Sequence, residues 1–121
     1  MVSISVKEPL SYLALSNSIR GSVVTWAKTL ANDVAFRNIT VNNILTGFFQ
    51  TERIEELNLE KAKKLDIPVN HIYESMKNQV PMKRIGRPEE FAYLASFLCS
   101  DKANYITGIN IPIDGGLIKS L

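Results

Sequence analysis

The fold is decided by residues 23–47, VVTWAKTLANDVAFRNITVNNILTG, in which a helical pattern passes directly into a strand pattern. In the first part, apolar residues recur at steps of three and four, which is typical of an amphipathic helix. Asn38 favours a helix stop, and the β-branched run that follows it ends at Thr46-Gly47. A helix that turns tightly into a strand is half of a parallel crossover unit, so the segment predicts an α/β protein.

The same periodicities extend from this segment in both directions. The first helix is predicted over residues 16–37, with Ser16 and Asn17 as candidates for its N-terminal cap. Short strands are predicted at residues 2–6, 39–45 and 108–113. Three short strands make a sheet that is too small to cover the apolar faces of the predicted helices. We therefore expect part of a larger parallel sheet, completed by another polypeptide or by self-association.

The middle of the chain predicts two short helices rather than one long one. The first is expected to end near Asp66, and Pro68 then opens the second. A further helix is predicted to begin at Pro88, where two glutamates favour the positive end of the helix dipole. The sequence thus predicts one partial domain over residues 1–121, with a flap-like helical insertion at about residues 52–80.

Composition excludes several classes of function. Of 121 residues, 45% are apolar and 21% charged, and a net charge of +2 does not favour a nucleic-acid partner. Cys99 is the only cysteine, which fits the reducing cytoplasm, where we expect the protein. No stretch approaches the ~20 apolar residues of a membrane span, and residues 1–9 lack a signal-peptide pattern. A zinc site is not expected, since His71 is the only histidine.

Several sequence runs carry a family resemblance. They are VVTWAKTLA at 23–31, NITVNNILTG at 38–47 with Thr51, PMKRIGRPEEF at 81–91, YITG at 105–108 and IDGG at 113–116. In this order and spacing they resemble the second half of the short-chain dehydrogenase/reductase family, most closely its 3-oxoacyl-carrier-protein reductase and sugar dehydrogenase branch. The resemblance implies the C-terminal part of a doubly wound Rossmann-like parallel sheet, across whose carboxyl ends NAD or NADP lies.

The glycine-rich turn of such proteins is missing from this sequence. In the family that turn sets the cofactor pyrophosphate on a helix N-terminus. None of the six glycines forms a Gly-x-x-x-Gly-x-Gly pattern between a strand and a helix. The chain therefore lacks the N-terminal dinucleotide-binding half, and we expect it not to bind NAD or NADP on its own.

The resemblance also implies a catalytic Ser, Tyr and Lys. Counting back without gaps from the strand at Val41 places Ser16 at the tyrosine position, Arg20 at the lysine position and Ser3 at the serine position. A serine hydroxyl ionises far less readily than a phenol with a pKa of ~10, so Ser16 is a poor proton donor. Arg20 keeps a cation that can hold ribose hydroxyls or a phosphate. The predicted site has therefore kept its charge and lost its proton donor.

Two further residues have alternative interpretations. Tyr12, one helical turn before Ser16, would replace the missing phenol with a four-residue insertion before the strand, or by folding back over the cleft without a change of register. A loop aromatic packed on the first helix is the simpler interpretation. Thr51 occupies the position at which the family's loop threonine contacts the cofactor, so Thr51 and Arg20 are the candidate cofactor-binding residues. A helix N-cap explains Thr51 equally well.

Two functions follow as hypotheses. The first is a chain of oxidoreductase lineage that is inactive alone and forms an enzyme only with a nucleotide-binding half, whether separate or part of a longer protein. The second is a non-catalytic oligomerisation or interaction module. Both predict a homo-oligomer or a complex with an N-terminal half, and neither predicts a nucleic-acid or membrane partner.

Overall fold

The computed structural model describes residues 1–11 and 13–120, in which three parallel strands form one sheet. The strands are β1 (Val2–Ser3), β2 (Asn43–Thr46) and β3 (Asn110–Ile113), in the order β1-β2-β3. Val2 pairs with Leu45, and Leu45 pairs on its other side with Pro112. Parallel neighbours require crossover connections, and helices lie between the strands in sequence, so the α/β prediction is confirmed.

Four α-helices surround the sheet in the described part of the chain. They are α1 (Ala14–Val34), α2 (Glu52–Leu65), α3 (Val69–Gln79) and α4 (Pro88–Leu98). None of them is long and apolar enough to cross a membrane. Short 3₁₀ turns follow β1, α1 and α4.

The sheet core is built around β2. The side chain of Leu45 is 0% exposed and packs against the buried side chains of Val2 and Ile4. Val24 of α1 covers this group from the helix side, and Leu117 and Ile118 close it near the C-terminus. The position of α1 over the sheet therefore depends on the apolar residues of β1 and β2.

The start of α1 differs from the prediction. The helix begins at Ala14, with Leu13 as its N-terminal cap and no side-chain cap hydrogen bond. The amide Nδ2 of Asn17 instead donates to the carbonyl of Leu10 at 3.0 Å, so the prediction of Ser16 or Asn17 as cap was wrong. The predicted helix stop is confirmed, because Asn38 adopts a left-handed conformation with φ 58°.

All three strands are shorter than predicted. Side-chain hydrogen bonds limit the first two strands, and the backbone conformation of a glycine limits the third. In the first, Ser3 Oγ accepts from the N–H of Ser5 at 3.2 Å, and the chain turns into a 3₁₀ helix. Before β2, Asn42 Nδ2 donates to the carbonyl of Ile106 at 2.8 Å. Before β3, Gly108 has φ +70°, which is not a strand conformation.

The segment predicted as a flap-like insertion contains two helices that pack on a common apolar cluster, to which Phe48 and Ile85 also contribute. Ala62 of α2 packs with Ile72 and Met76 of α3, and no residue of this cluster belongs to the sheet core. Asp66 ends α2 in a left-handed conformation, and Pro68 precedes α3. The prediction of two helices separated at these residues is confirmed.

An ion pair fixes the start of α4. Both terminal nitrogens of Arg84 donate to the carboxylate of Glu90, at 2.7 and 2.6 Å, and the backbone N–H of Arg87 donates to the same carboxylate at 2.8 Å. These contacts lower the pKa of Glu90 from 4.5 to about 2, through the Arg84 hydrogen bond first and the Arg87 N–H second. The ionised carboxylate thus stabilises this helix end.

We expect the Glu90→Gln variant to lose a pH-dependent part of the stability. Because the folded-state pKa is depressed, the carboxylate contributes fully above the ordinary value near 4.5 and loses its contribution as the pH falls toward 2. Urea midpoints followed by circular dichroism between pH 2 and pH 7 should fall less steeply for this variant than for the parent. Glu89→Gln is the matched control, and a parent-like slope in Glu90→Gln would contradict the assignment.

Candidate functional site

A cleft of about 370 Å³ lies at the carboxyl end of β2. Thr46 and Gly47, where β2 ends, form part of its wall, α1 contributes Arg20, and the first residues of α2 and α4 complete it. In open parallel sheets ligands bind outside the carboxyl ends of the strands. The cleft therefore has the position expected of a ligand site.

Two of the predicted catalytic positions are in contact on α1. Arg20 Nε donates to Ser16 Oγ at 3.1 Å, across one helical turn, and Arg20 lines the cleft. In this contact the serine oxygen is the acceptor. The structure therefore joins a cation and a hydroxyl at the two positions that the family resemblance assigns to Lys and Tyr.

The third predicted position, Ser3, lies on β1 in register with Thr46. Its Oγ accepts from the N–H of Ser5, so it shapes the turn that follows β1. Ser3 is not among the residues that line the cleft. Tyr12 lies outside the described residues, and the catalytic roles of Ser3, Ser16 and Arg20 stay predictions.

Threonine hydroxyls stabilise the cleft wall. Thr51 Oγ1 accepts from the N–H of Ile54 at 3.4 Å and caps α2, and Thr51 also lines the cleft. The N-cap interpretation is confirmed, and the hydroxyl proton remains available to a ligand. Thr46 Oγ1 donates to the carbonyl of Val2 at 3.0 Å, which ties the end of β2 to β1.

The sequence analysis missed Arg53 and an aromatic pair. Arg53 lines the cleft together with Thr51. In the sequence Arg53 is only a charged residue in the first turn of a helix, and no motif around it indicates a binding role. Phe49 and Phe91 also line the cleft and contact each other edge to face, with ring centroids 6.4 Å apart. Gly86 is required beside them, because a Cβ there would lie 2.9 Å from the Phe49 ring.

A neighbouring cavity of about 240 Å³ is lined by charged side chains that already bond to other groups of the protein. Arg84 and Glu90 line it and pair with each other. Asp114 also lines it and accepts the backbone N–H groups of Gly116 and Ile118, each at 2.9 Å. We therefore place the candidate site in the larger cleft.

The cleft fits one end of a dinucleotide cofactor and not the other. Arg20 and Thr51 offer a cation and a hydroxyl suited to a ribose and an amide. Two glycines with positive φ have side chains of this protein packed against them. A Cβ on Gly108 would lie 2.9 Å from Lys28 Nζ, and a Cβ on Gly115 would lie 2.7 Å from Val80 Cγ1. They do not form an open cradle for a pyrophosphate.

Comparison with known proteins gives consistent matches over nearly the whole chain. A family model described as enoyl-(acyl carrier protein) reductase matches residues 1–118. The NADPH-dependent reductase BacG of Bacillus subtilis is 36% identical over 115 residues, which cover 95% of this chain and 44% of that protein. A 3-oxoacyl-[acyl-carrier-protein] reductase of Thermotoga maritima is 40% identical, over 89% of this chain and 38% of that protein.

Solved structures agree with these matches. A short chain dehydrogenase family protein from Francisella tularensis superposes with a TM-score of 0.92 at 30% identity, covering 96% of this chain and 48% of that one. The L-sorbose reductase of Gluconobacter frateurii gives 0.93 at 33% identity, covering 99% and 46%. The chain thus spans less than half the length of these relatives. The predicted fold class is confirmed as part of a larger doubly wound sheet.

Proposed function

The chain belongs to the short-chain dehydrogenase/reductase family, and we propose that it is the catalytic and substrate-binding part of a cytoplasmic NAD(P)-dependent oxidoreductase. In this proposal it acts only together with a nucleotide-binding half. The observation that carries the proposal is the Arg20–Ser16 pair on α1, with Arg20 at the edge of the cleft.

The residues of this site bind and orient better than they transfer protons. Arg20 and Thr51 line the cleft, whereas Ser16 is not a lining residue and is linked to the cleft through its contact with Arg20. Arg20 holds ribose hydroxyls or a phosphate, and Thr51 donates a hydrogen bond to the nicotinamide end of the cofactor. Bound NADH or NADPH supplies the hydride. Ser16 donates a hydrogen bond to a substrate carbonyl, but an alcohol gives up its proton far less readily than a phenol does. Turnover is therefore slow even in a completed enzyme.

The completing half pairs with the open edge of β1. In the described part of the chain β1 has a neighbour only on the β2 side, so its outer backbone groups remain available to another strand. That half brings the glycine-rich turn for the pyrophosphate, which this chain does not provide. Without it the chain alone does not hold NAD or NADP.

A second candidate function, a non-catalytic oligomerisation module, rests on the surface of α1. Its side chains Leu15, Ile19 and Trp26 are 77%, 56% and 62% exposed, and only Ala27 and Ala31 of this helix are buried. Exposed apolar patches of this kind mark interaction surfaces. The same surface would serve a homo-oligomer or the completing half.

Cofactor binding tests the first proposal. We expect no saturable fluorescence change when NADPH is added to the purified chain, and saturable binding when the N-terminal part of the Bacillus subtilis reductase is fused ahead of Met1. Arg20→Gln in this chimera should weaken NADPH binding by about tenfold, since a charged hydrogen-bond donor is lost. Arg37→Gln, in the 3₁₀ turn that follows α1, is the control. Saturable binding by the chain alone, or none by a folded chimera, contradicts the proposal.

Restoring the family's residue types tests the role of Ser16. In the chimera, Ser16→Tyr combined with Arg20→Lys should raise NADPH oxidation with ethyl acetoacetate by about 100-fold, because a phenol beside an ammonium is an effective general acid. The control is Ser18→Tyr combined with Arg20→Lys, which adds the same phenol ring two residues further along α1. Equal rates in the two double variants would show that Ser16 does not occupy the proton donor's place.

Size measurements test the second candidate. Light scattering coupled to size exclusion should show the chain as an oligomer that Trp26→Glu dissociates, since a carboxylate in an apolar interface remains unpaired. Leu59→Glu, a half-exposed position on α2, is the matched control and should leave the mass unchanged. A monomeric parent chain would remove the support for an oligomerisation module.

A further inference from the structure

We propose that Arg53 and Arg20 together bind an oxyanion of the substrate, a carboxylate or a phosphate ester, in the cleft at the carboxyl end of β2. The assignment of this anion to a substrate rests on the proposed function, which it deepens by naming a substrate class. The two arginines come from different helices, since Arg20 belongs to α1 and Arg53 to the first turn of α2, and both line the cleft. Guanidinium groups suit oxyanions because their N–H donors match the spacing of two oxygens.

The charge of the two arginines is not balanced by acids in the cleft wall. Among the described residues that line the cleft there is no Asp or Glu. The first turn of α2 contains Glu52 and Glu55, but neither belongs to the lining. Apolar side chains of Phe49 and Phe91 occupy much of the remaining wall and reduce screening by water. A small anion is therefore attracted into this cleft.

Both guanidinium groups have donors available for a ligand. Arg53 Nη1 pairs with Glu56 Oε2 at 3.2 Å, but the two side chains are 70% and 63% exposed, so water and salt weaken this pair. Arg20 uses Nε toward Ser16, and in the described part of the chain its terminal nitrogens have no hydrogen-bond acceptor. An anion can therefore replace Glu56 and engage Arg20 without breaking a buried contact.

The start of α2 adds further donors at the same place. Thr51 Oγ1 already accepts from the N–H of Ile54, so in the chain without dinucleotide its proton can point to an anion in the cleft that it lines. The positive end of the 14-residue helix α2 lies at this residue. These groups add to the two arginines and select a negatively charged ligand over a neutral one.

The test uses the full chain without cofactor. Inorganic phosphate and acetoacetate are titrated by NMR at low salt, with methyl acetoacetate as the neutral equivalent of the second probe. We expect saturable shifts with both anions and none with the ester. Arg53→Gln should weaken anion binding by about threefold to tenfold, as for an exposed charged contact. Arg37→Gln should change nothing, and Glu56→Gln should tighten binding because it frees Arg53.

Equal affinity for acetoacetate and its ester, no phosphate binding, or the same affinity in Arg53→Gln and Arg37→Gln would overturn the proposal. The chimera distinguishes the source of the anion: phosphate that still binds at saturating NADPH supports a substrate site, and phosphate displaced by NADPH overturns it. A chimera that does not bind NADPH counts against the proposed function, whereas the titration of the chain alone needs no dinucleotide.

Discussion

Hydrogen bonding of β2 to a parallel strand on each side holds the strand end at which the cleft lies. Leu45, in the middle of this strand, is fully buried against β1, and the residues that follow it carry the chain into the cleft wall. The hydroxyl of Thr46 ties the end of β2 to Val2. Arg20 reaches the cleft because α1 packs on the same apolar group through Val24. A shift of β2 by one residue would turn Leu45 to the opposite face and separate the cleft from its cation.

The cleft combines strong binding groups with weak acid–base groups. The family resemblance assigns Ser16 and Arg20 to the Tyr and Lys positions. Of these two residues Arg20 lines the cleft, and Arg53 of α2 adds a second cation. Charged donors hold a ligand at any ordinary pH, whereas proton transfer needs a group whose pKa lies near that pH. The family relation of the chain is therefore clearer than its catalytic power, and recognition of an anion is the property that its own residues support best.

Elements defined by short-range chemistry were predictable from the sequence. The α1–Asn38–β2 unit follows from helical periodicity and a left-handed stop, and the break between α2 and α3 follows from Pro68. Features that depend on distant partners were not. Ser3 ends β1 by a side-chain hydrogen bond that competes with the strand, and α1 starts early because Asn17 bonds to a carbonyl seven residues before it. The cleft position of Arg53 depends on where α2 begins, next to Ile54, which packs with Phe48 on the α2–α3 cluster, and no spacing in the sequence indicates this arrangement.

The α2–α3 pair and the sheet have separate cores that share no buried residue. The effects of substitutions in the two cores on the free energy of unfolding should therefore add with little coupling, since distant sites without shared partners contribute additively. During divergence, the helix pair can accumulate changes while the parallel sheet is maintained. A lineage built this way can exchange one ligand preference for another through Arg53 and Ile54 of α2, which line the cleft, with the sheet core left intact.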